Sequence, residues 1–270
     1  MLPMDATTVT PGPRTPDPGL PDSRTPDCGL PFLSIVIPAH NEERRLPDTL
    51  CKIDAFVAAQ PYGAEVLVVE NASRDNTAGI VEDFARTHPC VRLLREAQPG
   101  KGRAVRIGAL AARGEYVFAC DADLSMPIDQ LAKFLSPALP SYDVAIASRE
   151  GPGARRYDEP FYRHLMGRVF NLLVQIMVLP GIDDSQCGFK CFRRSAAQAI
   201  FPLQSMNGWG FDVEVLAIAR THRLKIVKVP IDWYYFPGSK INPLRDTWRM
   251  FSEVMQVRMN AWRGKYRAQA

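Results

Sequence analysis

The chain has 270 residues, 46% hydrophobic and 23% charged, which suits a soluble globular protein with room for a sizeable core. Its net charge of +4 is uneven: from Phe236 onward seven cations (Lys240, Arg245, Arg249, Arg258, Arg263, Lys265, Arg267) face two anions (Asp246, Glu253), so this segment carries +5 and the remainder −1. No apolar run reaches the roughly 18 to 20 residues needed to cross a bilayer, and the start lacks the apolar core of a signal peptide. The expectation is a cytoplasmic protein, neither spanning nor secreted, whose basic end meets an anionic surface.

Residues 1–31 hold eight of the 23 prolines and a near-repeat, Arg14–Pro21 and Arg24–Pro31, too short for a solenoid and too polar to fold. They read as a disordered leader. From Leu33 strands and helices alternate: a strand over Leu33–Pro38, a helix over Glu43–Ala59, a strand over Glu65–Val69 and a helix over Asp75–Thr87. A short strand at Val91–Arg95, a helix at Arg103–Ala112 and a strand at Tyr116–Cys120 follow, and Ile128–Leu135 and Asp143–Ala147 continue the series. Beyond them come a helix near 161–179, a strand near 188–193, a helix near 211–221, strands near 224–236 and a C-terminal helix near 243–264. This order predicts an α/β fold, a mostly parallel central sheet with helices on both faces. The division expected is a leader at 1–31, one catalytic domain at 32–240 and a basic amphipathic helix with its tail at 241–270.

The six cysteines (28, 51, 90, 120, 187, 191) show no zinc spacing, and several lie in apolar runs, so reduced thiols are expected. Polar residues cluster instead at the carboxyl ends of the predicted strands, where α/β sheets bind ligands. Pro38-Ala39-His40-Asn41-Glu42 follows the first strand, Glu70–Thr77 the second, Pro99–Arg103 the third and Asp121-Ala122-Asp123 the fourth. Two carboxylates one residue apart either cap a turn or share a hard divalent cation with phosphate oxygens. Gly100-Lys101-Gly102-Arg103 offers a flexible backbone and cations at a helix start, suited to phosphate.

Taken jointly, Ile37–Glu43, Glu70–Thr77, Gly100-Lys101-Gly102, Asp121-Ala122-Asp123 and Asp184-Ser185-Gln186-Cys187-Gly188-Phe189-Lys190 resemble family 2 glycosyltransferases. Together with Trp209–Glu214 and Phe236–Lys240 they look most like the dolichyl-phosphate (polyprenyl-phosphate) glucosyltransferase branch, over about Leu33 to Tyr266. The resemblance implies a GT-A fold, a UDP-sugar donor and Mg²⁺ or Mn²⁺. By position Pro38, Ala39, Asn41, Glu42 and Glu70 would hold the nucleoside, Lys101 the diphosphate beside Ala122, and Asp121 and Asp123 the metal. Three departures stand out: His40 replaces a tyrosine, Glu70-Asn71 an aspartate pair, and Ser125 a third metal-side ligand of some relatives.

A lipid monophosphate is already largely anionic near neutral pH and needs orientation and countercharge more than a base. Arg149 is the first cation expected to meet it and Lys240 the second, with Asp184 near the reacting centre beside Asp123. Asp212 and Glu214 lie two apart on one helix, so one of them faces the cleft. The resemblance therefore implies an inverting transferase moving a hexose, glucose by branch, to a polyprenyl phosphate on the cytoplasmic face of a membrane. Two readings stay open beside it: a soluble or polysaccharide hydroxyl acceptor, and a non-catalytic nucleotide-binding scaffold. For membrane contact there are two candidates. In 161–179 the polar residues His164, Arg168, Asn171 and Gln175 make a narrow stripe on an apolar helix. In 243–264 Leu244, Trp248, Phe251, Met255 and Trp262 share one face flanked by arginines. No nucleic-acid recognition motif accompanies the basic residues.

Overall fold

A computed structural model describes residues 30–139, 141–235 and 243–267, with side chains in the last stretch described from Arg249. The leader expected at 1–31 lies almost wholly outside these residues, and Lys240, Leu244 and Trp248 lie outside the described side chains.

Seven strands form the main sheet: β1 (Leu33–Ala39), β2 (Ala64–Asn71), β3 (Val91–Glu96), β4 (Tyr116–Ala119), β5 (Val144–Ser148), β7 (Lys190–Arg193) and β8 (Ile226–Pro230), in the order β3-β2-β1-β4-β7-β5-β8. All ladders are parallel except the two made by β7, which runs against both β4 and β5. A separate parallel pair joins β6 (Arg155–Tyr157) to β9 (Asp232–Tyr234). The helices are α1 (Leu46–Ala58), α2 (Thr77–Ala85), α3 (Lys101–Ala111), α4 (Phe161–Met177), α5 (Arg194–Ile200), α6 (Phe211–Thr221) and α7 (Pro243–Trp262).

The core has two layers because strand side chains alternate between faces. Ile35 and Ile37 of β1, Val66 and Val68 of β2 and Phe118 of β4 pack on the side of α1, while Val36, Leu67, Val69 and Val117 pack on the side of α3, α5 and α6. Both faces of these strands are buried, and both sets of positions are therefore apolar.

The predicted elements hold with local shifts. The first helix begins at Leu46 rather than Glu43, because Glu43–Arg45 form a turn in which the amides of Arg45 and Leu46 donate to the Glu42 carbonyl at 3.0 and 2.9 Å. Pro47 then fits the first helical turn, where its missing N–H leaves nothing unpaired. The third helix begins at Lys101, two residues earlier than expected. Ile128–Phe134 forms a 3-10 helix, and the short α5 and β6 are additional elements.

The sheet order carries the functional consequence. From β1 the chain moves outward through β2 and β3, then crosses back to β4 on the other side of β1. The gap between β1 and β4 is thus the point at which strand order reverses, where such sheets hold ligands. Pairing of β1 with β4 ends at Val36↔Ala119, whereas β1 with β2 continues to Ala39↔Glu70. The last turn of β1, with Pro38, lies where the sheet has already opened toward β4.

Candidate active site

The four loops read from the sequence meet at this edge and are tied to one another. Asn41 adopts a left-handed backbone (φ 54°), which asparagine tolerates better than most residues. Its amide donates to Ser73 Oγ at 3.1 Å, and its Oδ1 accepts from the Arg74 amide at 2.8 Å. The Glu42 amide donates to Thr77 Oγ1 at 2.9 Å. His40 Nδ1 donates to the Asn71 carbonyl at 2.5 Å while Nε2 accepts from Asn41 Nδ2 at 3.0 Å, so both ring nitrogens are fixed in one tautomer. The histidine that replaces a tyrosine is therefore a staple between the first two loops. Glu70, nearly buried, accepts from the Ser73 amide through Oε1 at 2.5 Å. Asn71 reaches the third loop: its Nδ2 donates to the Gln98 carbonyl at 2.6 Å and its Oδ1 accepts from the Gly100 amide at 2.6 Å.

The glycines around Lys101 serve close packing rather than flexibility. A Cβ at Gly100 would lie 2.5 Å from the Asn207 carbonyl oxygen, and one at Gly102 2.5 Å from Phe211 Cβ. With α3 pressed against this neighbouring loop, Lys101 projects to Asp121, Nζ to Oδ1 at 2.6 Å, and its ammonium lies 5.1 Å from the ring centre of Trp209. Burial works against that ammonium, but the carboxylates of Asp121, Asp212 and Asp123 outweigh it and hold its pKa above that of an ordinary lysine. Asp123 behaves oppositely: burial first, then the charge of Asp121, push its carboxyl up. The acidic loop is pinned from two sides. Thr49 Oγ1 of α1 donates to the Ala122 carbonyl at 2.7 Å, and the Ser125 amide donates to Asp123 Oδ1 at 3.0 Å.

Asp212 is the member of its pair that turns to this side. It is buried in an ion pair with Lys190, whose Nζ also donates to the Cys187 carbonyl at 2.5 Å. Burial raises its carboxyl pKa against the pull of Lys190 and Lys101. Glu214 points elsewhere: it accepts from Ser205 Oγ at 2.6 Å, from the Ser205 and Met206 amides at 2.9 and 2.7 Å, and from Tyr266 Oη at 2.9 Å. Its role is to hold the 205–206 loop to the C-terminal end.

The second wall is built on Arg149, just past β5, and Asp184, ahead of β7. The Arg149 amide and Nε donate to Asp184 Oδ2 at 2.8 and 2.9 Å, and Nη2 donates to Oδ1 at 2.8 Å. Burial would raise the Asp184 carboxyl, but Arg149 outweighs it and keeps the pKa below the usual carboxylate value. Read separately in the sequence, the two residues form one bidentate unit. Trp233 backs it, with the guanidinium carbons of Arg149 and Arg156 at 5.2 and 5.9 Å from its ring centres. Arg156 is held by Glu150 and Glu159, each at 2.7 Å. Trp233, Arg156 and Lys190 carried no separate signal in the sequence: Lys190 meets Asp212 across 22 positions, and the glutamates that hold Arg156 lie only three and six residues from it but form no periodic pattern. Asp183 pairs with Lys228 at 3.1 Å at an exposed turn.

The sequence profile of Glycosyl transferase family 2 matches residues 34–201, more than half the chain. The chain belongs to glycosyl transferase family 2. This glycosyltransferase is 35% identical over 223 residues to the dolichyl-phosphate beta-glucosyltransferase ALG5C of Trichomonas vaginalis, covering 78% of the chain and 66% of that relative. It is 32% identical over 254 residues to the dolichyl-phosphate beta-glucosyltransferase of Homo sapiens, covering 87% and 77%. Among solved structures it superposes on glucosyl-3-phosphoglycerate synthase from Mycobacterium tuberculosis, crystallised with Mn²⁺ and UDP-glucose, at a TM-score of 0.60 and 18% identity, covering 84% of this chain and 79% of that one. Mannosyl-3-phosphoglycerate synthase from Rubrobacter xylanophilus gives 0.61 at 20% identity, covering 89% and 76%. These similarities establish the GT-A fold expected from the sequence.

Proposed function

We propose that this glycosyltransferase moves glucose from UDP-glucose to a polyprenyl or dolichyl phosphate, with inversion, at the cytoplasmic face of a membrane. The observation that carries this reading is the identity of 30–35% with dolichyl-phosphate beta-glucosyltransferases over most of the chain, supported by the Lys101–Asp121 and Arg149–Asp184 pairs as two separate charged units.

On the donor wall, Pro38, Ala39, Asn41, Glu42 and Glu70 lie around the opened end of β1 and hold the nucleoside. The nearly buried Glu70 carboxylate accepts from the N3–H of the base. Among the described residues no group of three or more histidine, cysteine or acidic side chains is assembled for a metal. The donor set that fits a divalent cation is Asp121 with Asp123: two carboxylates close enough that one raises the pKa of the other. Mg²⁺ and Mn²⁺ suit such a site, because hard cations of this kind take carboxylate oxygens and need few of them from the protein. When bound, the ion supplies charge neutralisation to the leaving diphosphate. Lys101 brings its ammonium to the same diphosphate, positioned by Asp121 and Trp209.

On the acceptor wall, Asp184 engages Nε and Nη2 of Arg149, which leaves Nη1 as the donor for an acceptor phosphate. Lys240, outside the described residues, is the second cation. An acceptor phosphate oxygen attacks the anomeric carbon as the bond from that carbon to the diphosphate oxygen breaks, and UDP departs. No side chain needs to remove a proton, since the phosphate is already ionised. Asp184, held by three donors from one arginine, orients Arg149 rather than acting as a base.

The test is a panel of nucleotide sugars incubated with polyprenyl phosphate, with and without Mg²⁺ or Mn²⁺, and the lipid product identified by mass. Glucosyl polyprenyl phosphate formed only with metal is expected. Sugar appearing on a soluble hydroxyl acceptor regardless of added lipid would overturn the acceptor assignment.

A further inference from the structure

α4 is apolar on two sides. Its inner side packs Val174, with Phe170 and Met177, on the core, and the polar stripe runs along the flank between: His164 Nδ1 lies 3.4 Å from Glu159, Arg168 pairs with Glu150 at 2.9 Å, and Asn171, buried, accepts from Ser185 Oγ at 3.4 Å. Its other apolar arc turns outward. Phe161, Leu165, Val169, Leu172 and Ile176 share one side, and all are more than half exposed, Phe161 and Ile176 at 77% and 73%. A helix of 17 residues is about 25 Å long, so this is a continuous apolar band far larger than scattered surface leucines make.

We propose that the outward face of α4 is a bilayer-docking surface, lying in the boundary between headgroups and acyl chains. Three observations favour a membrane over other occupants. The helix carries no acidic residue, and the exposed Arg263 and Lys265 at the end of α7 add positive charge beside the apolar arc, the pattern that an anionic leaflet complements. The band continues onto α7. Arg258 of that helix donates to the Met177 carbonyl at the end of α4, and Met259 and Trp262 are exposed there beside Arg263 and Lys265. The polar flank of α4 is joined to the acceptor wall: Arg168 and Arg156 share Glu150, and Arg163 Nη1 donates to Tyr235 Oη at 2.7 Å. An α4 bedded in the interface therefore holds Arg149 near headgroup depth, where a lipid phosphate is reached without extracting its chain. This last step rests on the acceptor reading above, whereas the docking itself does not.

The test uses the full chain and a Val169→Ser, Leu172→Ser, Ile176→Ser variant, all at exposed positions outside the cleft. Flotation with phosphatidylcholine vesicles containing a minority of phosphatidylserine is expected to recover wild type and at least about tenfold less of the variant. Circular dichroism melts and metal-dependent UDP binding should be unchanged. Transfer to a short water-soluble isoprenyl phosphate should persist in the variant while transfer to long-chain polyprenyl phosphate in vesicles falls at least about tenfold. Equal flotation of the two proteins overturns the proposal, as does a wild type that stays off vesicles but forms a dimer the variant cannot. If neither protein glucosylates any isoprenyl phosphate yet flotation still distinguishes them, docking stands and the acceptor reading falls.

Discussion

A Cβ placed on Gly188 would lie 1.9 Å from Oδ2 of Asp121 and 2.5 Å from its Cγ. No side chain fits there while the carboxylate keeps its position. Gly188→Ala therefore displaces Asp121 and with it the end point of Lys101. kcat/KM for glucosyl transfer is expected to fall at least about 100-fold, the usual consequence of moving a reacting geometry by an ångström. Metal-dependent UDP-glucose binding by calorimetry should weaken in parallel. A variant with wild-type turnover would show that the Asp121 position is not needed.

Asp123→Asn separates chemistry from stability. Burial and the charge of Asp121 already disfavour the ionised Asp123, so removing its charge relieves the folded protein instead of harming it. The melting temperature without metal should equal or exceed that of wild type, and stimulation of transfer by Mn²⁺ should disappear. Loss of folding in this variant would contradict the assignment.

The Arg149–Asp184 unit has a pH signature. Because Arg149 holds the folded-state pKa of Asp184 below its ordinary value near 3.8, the stabilisation is complete above that value and is lost as pH falls through the lower folded one. Asp184→Asn strands a largely buried guanidinium and should cost ~3 kcal/mol at neutral pH by denaturant titration, with the gap to wild type closing in strong acid. Arg149→Met combined with Asp184→Leu should be more stable than either single change yet equally inactive.

Glu253 of α7 accepts from the Gly210 amide at 2.6 Å, next to the tryptophan that covers Lys101. Glu253→Ala frees that loop. KM for UDP-glucose should rise about fivefold to tenfold, equivalent to ~1 to 1.4 kcal/mol, with little change in kcat, and Glu253→Gln should restore most of it. An unchanged KM would show that α7 does not reach the donor site.

The half built on β1, β2 and β4 was legible because its strands are apolar on both faces and each ends in a polar loop, so composition marks both the strand and its loop end. The half that carries Arg149 and Asp184 hid more. β7 has four residues, and nothing in Lys-Cys-Phe-Arg records that it runs backward between β4 and β5. Arg149 and Asp184 were found as separate candidates, but a pairing across 35 positions leaves no periodic trace. Of Asp212 and Glu214, helical spacing alone placed them on different faces; the buried Lys190 decides which one meets the cleft. On α4 the stripe was visible, but not which apolar side beside it meets the core: Val174 does, while Val169 and Ile176 stay exposed.

The reversed strand β7 also marks a seam. In the main sheet, among the described residues, strands β3, β2, β1 and β4 are joined to β7, β5 and β8 through the single ladder from Tyr116↔Arg193 to Ala119↔Lys190. Asp121 and Asp123 come after the last strand of the first group, whereas Asp184 and Arg149 belong to the second. A chimera joined in the loop after Asp123 that keeps this four-pair register should inherit its sugar from one parent and its acceptor from the other.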